Sequence, residues 1–259
     1  GKTTSIRMVM NIIHPDKGEI LFNGSRERPA SHNIGYLPEE RGLYQKISVF
    51  ETLEYFAHLR NVTDARQKIN KQLQRFNLAD RHHSKISELS KGNQQKLQFI
   101  NTILHDPEYV VLDEPFSGLD PVNQILLKEI LEEMKQAGKT IIFSSHQMDQ
   151  VERLCDDVVF INQGQVILAG ELDQIKREHG GRHLQITPEN ETDLDHTFFS
   201  GPAVEKRSGS AYFALSQNNK SELIAEANKR FDLRSVKIAE PGLEDIFIRL
   251  IRGESDEHV

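Results

Sequence analysis

Apolar positions along the chain recur with two periods, and this alternation predicts strands and helices in turn. Short, mostly apolar runs predict buried parallel strands at Ile34–Leu37, Tyr109–Leu112 and Thr140–Ser144. Helical spacing predicts amphipathic helices at Ser48–Arg60, from Ser90 through Leu104, and at Pro121–Gln136. A polar, solvent-facing helix is predicted over residues 64–85, and a turn with a short strand over His14–Gly24. The first two thirds of the chain therefore has an α/β pattern.

The rest of the chain has a different pattern. Two strands, Asp157–Asn162 and Gln165–Gly170, flank the turn Gln163-Gly164 and predict a hairpin. From about residue 180, four strands are predicted at Leu184–Thr187, Ala203–Arg207, Ala211–Ser216 and Val236–Ala239. Helices are predicted near Glu191–Phe199, at Ser221–Phe231 and at Leu243–Arg252. The βαββαβ order predicts a small ferredoxin-like α+β domain over 180–252, followed by a disordered tail at 253–259.

Composition narrows the class of protein. With 37% hydrophobic and 27% charged residues, the 259-residue chain is typical of a soluble globular protein with one or two domains. No apolar run approaches the ~18–20 residues that span a bilayer. The net charge of −7 argues against binding nucleic acid through phosphate contacts. The single cysteine, Cys155, predicts no disulfide framework and is interpreted as a small buried apolar residue. The adjacent His82 and His83 are interpreted as a solvated pair.

The segment Tyr109–Asp120 places two carboxylates directly after a buried strand. Asp113 and Glu114 follow the apolar run, and a proline and the sequence SGLD then turn the chain. In open α/β sheets, ligands bind at the carboxyl ends of the strands. The pair predicts one carboxylate that holds a metal and one that orients a water molecule. The alternative is a strand that simply ends in two solvated acids.

The chain begins with Gly1-Lys2-Thr3-Thr4, followed by an apolar-periodic helix. These residues match the end of the phosphate-binding loop G-x-x-x-x-G-K-[ST]. Lys2 is predicted to reach the β- and γ-phosphates, and Thr3 to bind Mg²⁺ at the positive end of the helix. The strand and glycines that normally precede this tetrapeptide are expected upstream of Gly1.

Two further positions are candidates for a phosphate site. Ser90 is a natural N-cap, and the Lys91-Gly92-Asn93 segment after it exposes backbone amides, which indicates either an anion site or only a well-capped helix. His146 follows the predicted strand Thr140–Ser144. Because parallel strands end on the same side of a sheet, we expect His146 to lie near the Asp113-Glu114 pair.

Taken in order, the motifs GKTT, YLPEERGLY, ELSKGNQQK, YVVLDEPFSGLD and IIFSSHQMDQ resemble the ATP-binding subunit of ABC transporters. The resemblance covers about residues 1–170. It implies a P-loop NTPase with a RecA-like core over 1–175, lacking its first strands and the front of Walker A, and an inserted helical subdomain at about 46–106. YLPEERGLY, LSKGNQQK and the domain after residue 180 are similar to the branch that serves ABC-2 type exporters, which includes sodium-efflux and drug-resistance systems.

The resemblance also implies a role for each matching residue. The Walker A positions that bind ATP are Gly1, Lys2, Thr3 and Thr4. The expected Mg²⁺ ligands are Thr3, Asp113 and Glu39. Glu114 is expected to polarise the attacking water, and His146 to contact the γ-phosphate. Ser90, Gly92 and Asp120 are expected to complete the ATP site of an opposite subunit.

Two positions depart from the family pattern. The signature reads LSKGN, so that it keeps Ser90 and Gly92 but has Lys91 where the family has glycine. The added positive charge is compatible with phosphate attraction. Glu39 stands where a glutamine usually binds Mg²⁺; a carboxylate can still bind the metal, but its charge changes the energetics of the loop.

The resemblance implies ATP hydrolysis coupled to export through a separate membrane-spanning permease, at the cytoplasmic face of the membrane. It also implies pairing with a second ABC ATPase subunit, identical or different. Two alternatives stay open: a soluble ABC-type regulator such as a translation factor, and a fragment without catalytic activity. The sequence does not identify the transported substrate.

Overall fold

The computed structural model describes residues 1–40, 42–179, 183–189, 203–207, 210–215, 220–230, 232–239 and 242–252. The chain divides into two compact units, Gly1–His146 and Gln147–Val259. Both units contain helices and sheet, so the predicted mixture of strands and helices is confirmed.

A parallel sheet organises the first unit. Its strands are β1 (Ile34–Leu37), β2 (Tyr109–Asp113) and β3 (Thr140–Ser144), in the order β1-β2-β3. The strand β2 is central, and Val110, Val111 and Leu112 are fully or almost fully buried, as expected for a parallel strand covered on both faces. All three predicted strands are confirmed.

Five helices accompany this sheet: α1 (Lys2–Val9), α2 (Val49–Leu59), α3 (Ala65–Arg75), α4 (Lys91–Ile103) and α5 (Pro121–Gln136). Three of them begin at side chains that accept a hydrogen bond from the first turn. Ser48 forms a capping box with Glu51, while Ser90 accepts from the Asn93 amide and Asp120 from the Asn123 amide. These caps fix the helix starts that the sequence predicts.

The predicted solvent-facing helix over residues 64–85 is wrong in length and in burial. Helix α3 ends at Arg75, and Asn77 adopts a left-handed conformation with φ of 55°, which terminates a helix. Ile69 and Leu73, on the face of α3 that packs against neighbouring helices, are buried, as is Phe76 directly after the helix. The lysine, arginine and glutamine residues that surround these apolar positions make the segment look polar in the sequence.

Two smaller predictions are also wrong. His14–Gly24 forms no strand, and the chain there makes only an isolated bridge between Phe22 and Ser25. The predicted solvated pair is wrong for His82, which is half-buried and stacks its ring on Phe50 with the centroids 4.2 Å apart, whereas His83 is exposed. Burial lowers the pKa of His82, and the neighbouring His83 lowers it further.

The second unit opens with α6 (Met148–Leu154) and the antiparallel hairpin of β4 (Asp157–Asn162) and β5 (Gln165–Glu171). The hairpin turn has positive φ at Gln163 and Gly164, as a tight turn requires. Helices α7 (Leu172–His179) and α9 (Leu243–Arg252) pack against the hairpin. Cys155 packs, half-buried, against the same core.

A four-stranded antiparallel sheet completes the second unit. It comprises β6 (His183–Pro188), β7 (Ala203–Arg207), β8 (Ser210–Ala214) and β9 (Leu233–Ala239), in the order β7-β8-β6-β9, with α8 (Lys220–Arg230) packed on it. The first strand, β6, pairs with both the third and the fourth, as a ferredoxin-like arrangement requires. The predicted helix at Glu191–Phe199 and the tail at 253–259 lie outside the described residues.

Packing places the boundary between the units after His146, whereas the sequence predicts a boundary near residues 175–180. Helix α9 explains the difference, because Leu243 and Ile246 belong to the same core as Val158 and Phe160 of the hairpin. The C-terminal helix thereby joins the hairpin to the second unit.

Candidate functional site

The sheet register brings the ends of two strands together at one edge. Asp113, the last residue of β2, lies opposite Ser144, the last residue of β3. Glu114 and His146 follow these strand ends directly, and Lys2 begins α1, which packs on β1 and β2 through Ile6. The predicted neighbours therefore meet at the carboxyl edge of the sheet.

Asp113 is buried, with 1% of its surface exposed. Its Oδ1 accepts a hydrogen bond from Ser144 Oγ at 2.5 Å. Its Oδ2 is buried and has no hydrogen-bond partner within the described part of the chain. A buried carboxylate oxygen without a partner is costly, and a metal-bound water would satisfy it. Burial, and then the charge of Asp113, raise the pKa of the Tyr36 hydroxyl.

Glu114 adopts a left-handed backbone conformation with φ of 50°, which is uncommon for a residue with a side chain. Its amide donates to Ser144 Oγ at 3.0 Å, and its carbonyl accepts from the Ser117 amide at 3.1 Å. Ser144 Oγ thus bridges both acids, as donor to Asp113 and acceptor from Glu114. These bonds turn the Glu114 side chain toward the sheet edge.

The Glu114 carboxylate lies between two basic groups. Lys2 Nζ is 3.1 Å from Oε1, and His146 Nδ1 is 2.9 Å from Oε2. Lys2 Nζ also donates to the Ser145 carbonyl at 3.0 Å. Only 14% of the Glu114 side chain is exposed, against 66% for His146. A shielded carboxylate between two basic partners can be released to bind water when those partners engage another anion.

The start of α1 supplies donors for an anion. Gly1 is the N-cap residue, and the amides of Lys2, Thr3 and Thr4 lie in the first turn, where no intrahelical acceptor is available. Thr3 is half-buried and follows Lys2 directly. Amides, a lysine and a hydroxyl at a helix N-terminus form the donor set that phosphate oxygens prefer.

The residue set also fits Mg²⁺, although only with help from a ligand. No group of three or more His, Cys, Asp or Glu side chains in the described part of the chain could hold a metal alone. Mg²⁺ commonly binds one or two carboxylates and completes its shell with water and phosphate oxygens. The unpartnered Asp113 Oδ2 is compatible with that kind of site.

The other predicted site residues are not brought into this cluster. Ser90 Oγ caps α4, and Asp120 caps α5; the Asn123 hydrogen bonds lower the pKa of Asp120. Gly92 lies against the loop after β2, because a Cβ placed there would stand 3.1 Å from the Gly118 carbonyl oxygen. Glu39 is exposed and makes no hydrogen bond or ion pair among the described residues.

Sequence reasoning missed two polar side chains that organise the site. Ser144 bridges Asp113 and Glu114, and Gln95 donates from α4 to the Pro115 carbonyl at 3.1 Å. The strand register would have revealed Ser144, since equal strand lengths align it with Asp113. Gln95 carries no such signal, because a glutamine in a helix is ordinarily exposed.

A parallel sheet with a lysine-bearing helix N-terminus and an Asp-Glu pair at its carboxyl edge defines a P-loop nucleoside triphosphatase. Residues 1–117 match the family described as ABC transporter, and residues 170–251 match the ATP-binding protein DrrA1-3-like, C-terminal domain. None of the described helices has the length and apolarity needed to cross a membrane.

Relatives extend these matches along the chain. An uncharacterised ABC transporter ATP-binding protein of Alkalihalophilus pseudofirmus is 40% identical, over 97% of this chain and 96% of its own length. NatA, an ABC transporter ATP-binding protein of Bacillus subtilis, is 33% identical over 77% of this chain and 80% of its own. The linearmycin resistance ATP-binding protein LnrL of Bacillus subtilis is 28% identical over 96% of this chain and 86% of its own.

A solved structure of the ATP-binding subunit of an ABC transporter is also similar. It superposes with a TM-score of 0.62 and 31% identity, over 69% of this chain and 77% of that one. The chain belongs to the ATP-binding subunits of ABC transporters, which are ATPases. The fold class and the family that the sequence motifs indicate are thereby confirmed.

Proposed function

We propose that this chain powers export through a separate membrane-spanning permease, by closing with a second ATPase subunit around ATP and then hydrolysing it. The observation that carries the proposal is the Glu114 carboxylate, held 3.1 Å from Lys2 Nζ and 2.9 Å from His146 Nδ1. Both basic groups are expected to leave Glu114 for the phosphates. Glu114 would then be free to orient a water molecule.

The ATP-binding part of the proposal assigns the phosphates to the start of α1. Gly1, Lys2, Thr3 and Thr4 supply amides, a charge and hydroxyls. Mg²⁺, when bound, neutralises developing charge on the phosphates. Thr3, Asp113 and Glu39 are the proposed ligands: Asp113 through the unpartnered Oδ2, and Glu39 by a movement of its exposed loop.

The catalytic part assigns the chemistry to two residues. Glu114 polarises the attacking water, and His146 contacts the γ-phosphate. Neither forms a covalent bond, because phosphoryl transfer of this kind depends mostly on positioning and electrostatic stabilisation. The second subunit contributes Ser90, Gly92 and Asp120, which lie at two helix N-termini and bind none of the groups around Glu114 within the described residues.

The proposal also covers the domain bounds, the partners and the location of the protein. Residues 1–175 are the proposed ATP-binding domain, with a helical subdomain at about 46–106, and 180–252 the accessory domain. Support for export comes from the linearmycin resistance printed in the name of LnrL and from the C-terminal match. The protein is proposed to act at the cytoplasmic face of the membrane as an identical or mixed pair, without nucleic acid.

The test uses the protein expressed from its complete reading frame together with neighbouring membrane-protein genes. We expect ATP hydrolysis that requires Mg²⁺ and stops on chelation with EDTA. We also expect a permease to copurify with the protein in detergent. Absence of hydrolysis would contradict the ATPase assignment of these residues. Hydrolysis that no membrane protein accompanies, in pull-down and crosslinking, would favour the soluble regulator instead.

A further inference from the structure

Helix α4 buries an unusual set of polar side chains. Gln95, Gln98 and Thr102 are 4%, 5% and 1% exposed, and their spacing of three and four residues places them on one face of the helix. Buried polar groups require hydrogen-bond partners, so this face has to meet donors or acceptors elsewhere in the unit.

Two of these side chains donate to backbone carbonyls in the loops at the carboxyl edge of the sheet, and the third lies against β1. Gln95 Nε2 donates to the Pro115 carbonyl at 3.1 Å, and Gln98 Nε2 to the Glu40 carbonyl at 3.4 Å. Thr102 Oγ1 has a single hydrogen and lies 2.9 Å from the Gln98 carbonyl of its own helix and 3.2 Å from the Tyr36 carbonyl within β1. The first two acceptors follow Glu114 and Glu39, respectively, by one residue. Helix α4 is therefore tied to the loops that carry both acids.

The first turn of α4 also approaches the loop after β2 closely. A Cβ at Gly92 would stand 3.1 Å from the Gly118 carbonyl oxygen, so the helix backbone and the loop leave little space between them. Gly92 and Gln95 are three residues apart and contact opposite ends of the same short loop, Pro115–Gly118. A displacement of this helix turn must move the loop.

We propose that Gln95 is a positioning residue that aligns Glu114 with the signature turn, which comprises Ser90–Asn93. The Glu114 amide donates to Ser144 on β3, and the carbonyl of the next residue, Pro115, accepts from Gln95 on α4. Two elements therefore hold the backbone around Glu114 in its left-handed conformation. A nucleotide seated against the signature turn thereby sets the position of Glu114 in the same chain. The proposal rests on the proposed ATPase function.

The first experiment replaces Gln95 by methionine, which has similar length but no donor, in the full-length protein. We expect kcat for ATP to fall about tenfold to a hundredfold, because small misplacements of a catalytic group have effects of this size. The KM for ATP should stay within about twofold, since Gln95 is buried and donates to a carbonyl of its own chain. The matched control is Thr102→Val, which removes a donor from the same face but contacts β1 rather than a loop; its kcat should stay near that of the wild type.

The second experiment uses Gln95→Glu and a pH series. A buried glutamic acid donates to the Pro115 carbonyl only when it is protonated, so the ratio of variant to wild-type kcat should rise as the pH falls. Dividing by the wild type removes the titration of the groups that both proteins share. A purely structural role would leave the ratio flat, as would the absence of any role. If Gln95→Met does not fold, this ratio alone decides.

The outcomes separate this proposal from the proposed function. A wild type that hydrolyses ATP, combined with unchanged kcat in Gln95→Met, overturns the positioning role and leaves the ATPase function intact. A flat pH ratio in Gln95→Glu has the same meaning. A wild type that hydrolyses no ATP would overturn the proposed function, and the positioning role with it.

Discussion

Two regions of the first unit carry the proposed chemistry, and they differ in how complete they are. The catalytic cluster, defined as Lys2, Asp113, Glu114, Ser144 and His146, is joined by hydrogen bonds and ion pairs within the chain. The signature surface is defined as Ser90, Gly92 and Asp120; among the described residues, the Ser90 and Asp120 side chains hydrogen-bond only to their own helix turns. One region is assembled by the sheet; the other presents two capped helix ends.

The difference has a physical cause. Parallel strands with matched register bring their ends to one edge, so residues that follow β2 and β3 must meet. Helix N-caps satisfy one orphan amide each and leave the remaining first-turn amides without helical acceptors. The catalytic cluster is therefore proposed to need a nucleotide and Mg²⁺, whereas the signature surface needs an anion from elsewhere. A second subunit holding ATP would supply that anion.

Replacement of Glu114 by glutamine should have the largest effect. The amide keeps the shape of the side chain but cannot accept a proton from water, so ATP hydrolysis should fall ~10²–10⁴-fold. ATP binding should persist, and the closed dimer should accumulate, which size-exclusion chromatography with ATP can measure. The control is Glu108→Gln, which changes an exposed carboxylate just before β2. Near-normal turnover in Glu114→Gln would show that the cluster does not contain the catalytic group.

A mixing experiment tests whether the signature surface acts on the opposite subunit. Ser90→Ala and Glu114→Gln should each hydrolyse ATP slowly alone. In a mixed pair of identical chains, one site combines the intact Glu114 of one chain with the intact Ser90 of the other. Because half of the pairs are mixed and one of their two sites is intact, equimolar mixing should restore about a quarter of the wild-type rate. No gain on mixing would contradict pairing with a second copy of this chain.

The catalytic cluster was predictable because most of its residues lie at or directly after the ends of strands that the sequence pattern locates. Apolar runs located β1, β2 and β3, and parallel pairing then placed Glu114 and His146 together. The bridging role of Ser144 needed the exact register, which periodicity does not give. The family resemblance assigned Ser90, Gly92 and Asp120 to an opposite subunit, and their roles stay predictions.

The errors arose where tertiary contacts override local pattern. A polar composition over residues 64–85 concealed the buried Ile69, Leu73 and Phe76, since three apolar residues in a charged helix are enough to form a packed face. His82 was interpreted by its polarity, yet its ring stacks on Phe50. Gln95 was overlooked for the same reason, because its burial depends on a carbonyl that only the folded loop presents.

Replacement of Ser144 by alanine should weaken the cluster and leave the signature surface unchanged. The change removes the donor to buried Asp113 and the acceptor for the Glu114 amide, so the free energy of unfolding should fall by about 1–3 kcal/mol. Hydrolysis should fall about tenfold as Glu114 loses one support. Chemical denaturation and steady-state kinetics measure the two effects. Ser87→Ala, at an exposed serine, is the control and should change neither.

Mild acid should affect both regions together, through His105. Burial first, and then Arg60, lower the pKa of His105 to about 4. The Arg60 guanidinium lies 2.8 Å from Nδ1, and Nε2 lies 3.2 Å from the Ile34 carbonyl oxygen of β1. Lys139 also lowers this pKa, and Asp106 raises it. The folded protein therefore keeps His105 neutral at pH values where the unfolded chain, with a pKa near 6.5, is already protonated.

Stability should thus be fully present above about pH 6.5 and decline as the pH falls toward 4, by about 2 kcal/mol once solvent screening of the partly exposed ring is allowed for. Urea denaturation at several pH values measures this decline. His105→Gln is the matched variant, because its amide can accept from Arg60 and donate to the Ile34 carbonyl without titrating. Its stability should change less over the same range. Equal pH dependence in both proteins would show that another group controls the acid response of the scaffold that carries the catalytic cluster and the signature surface.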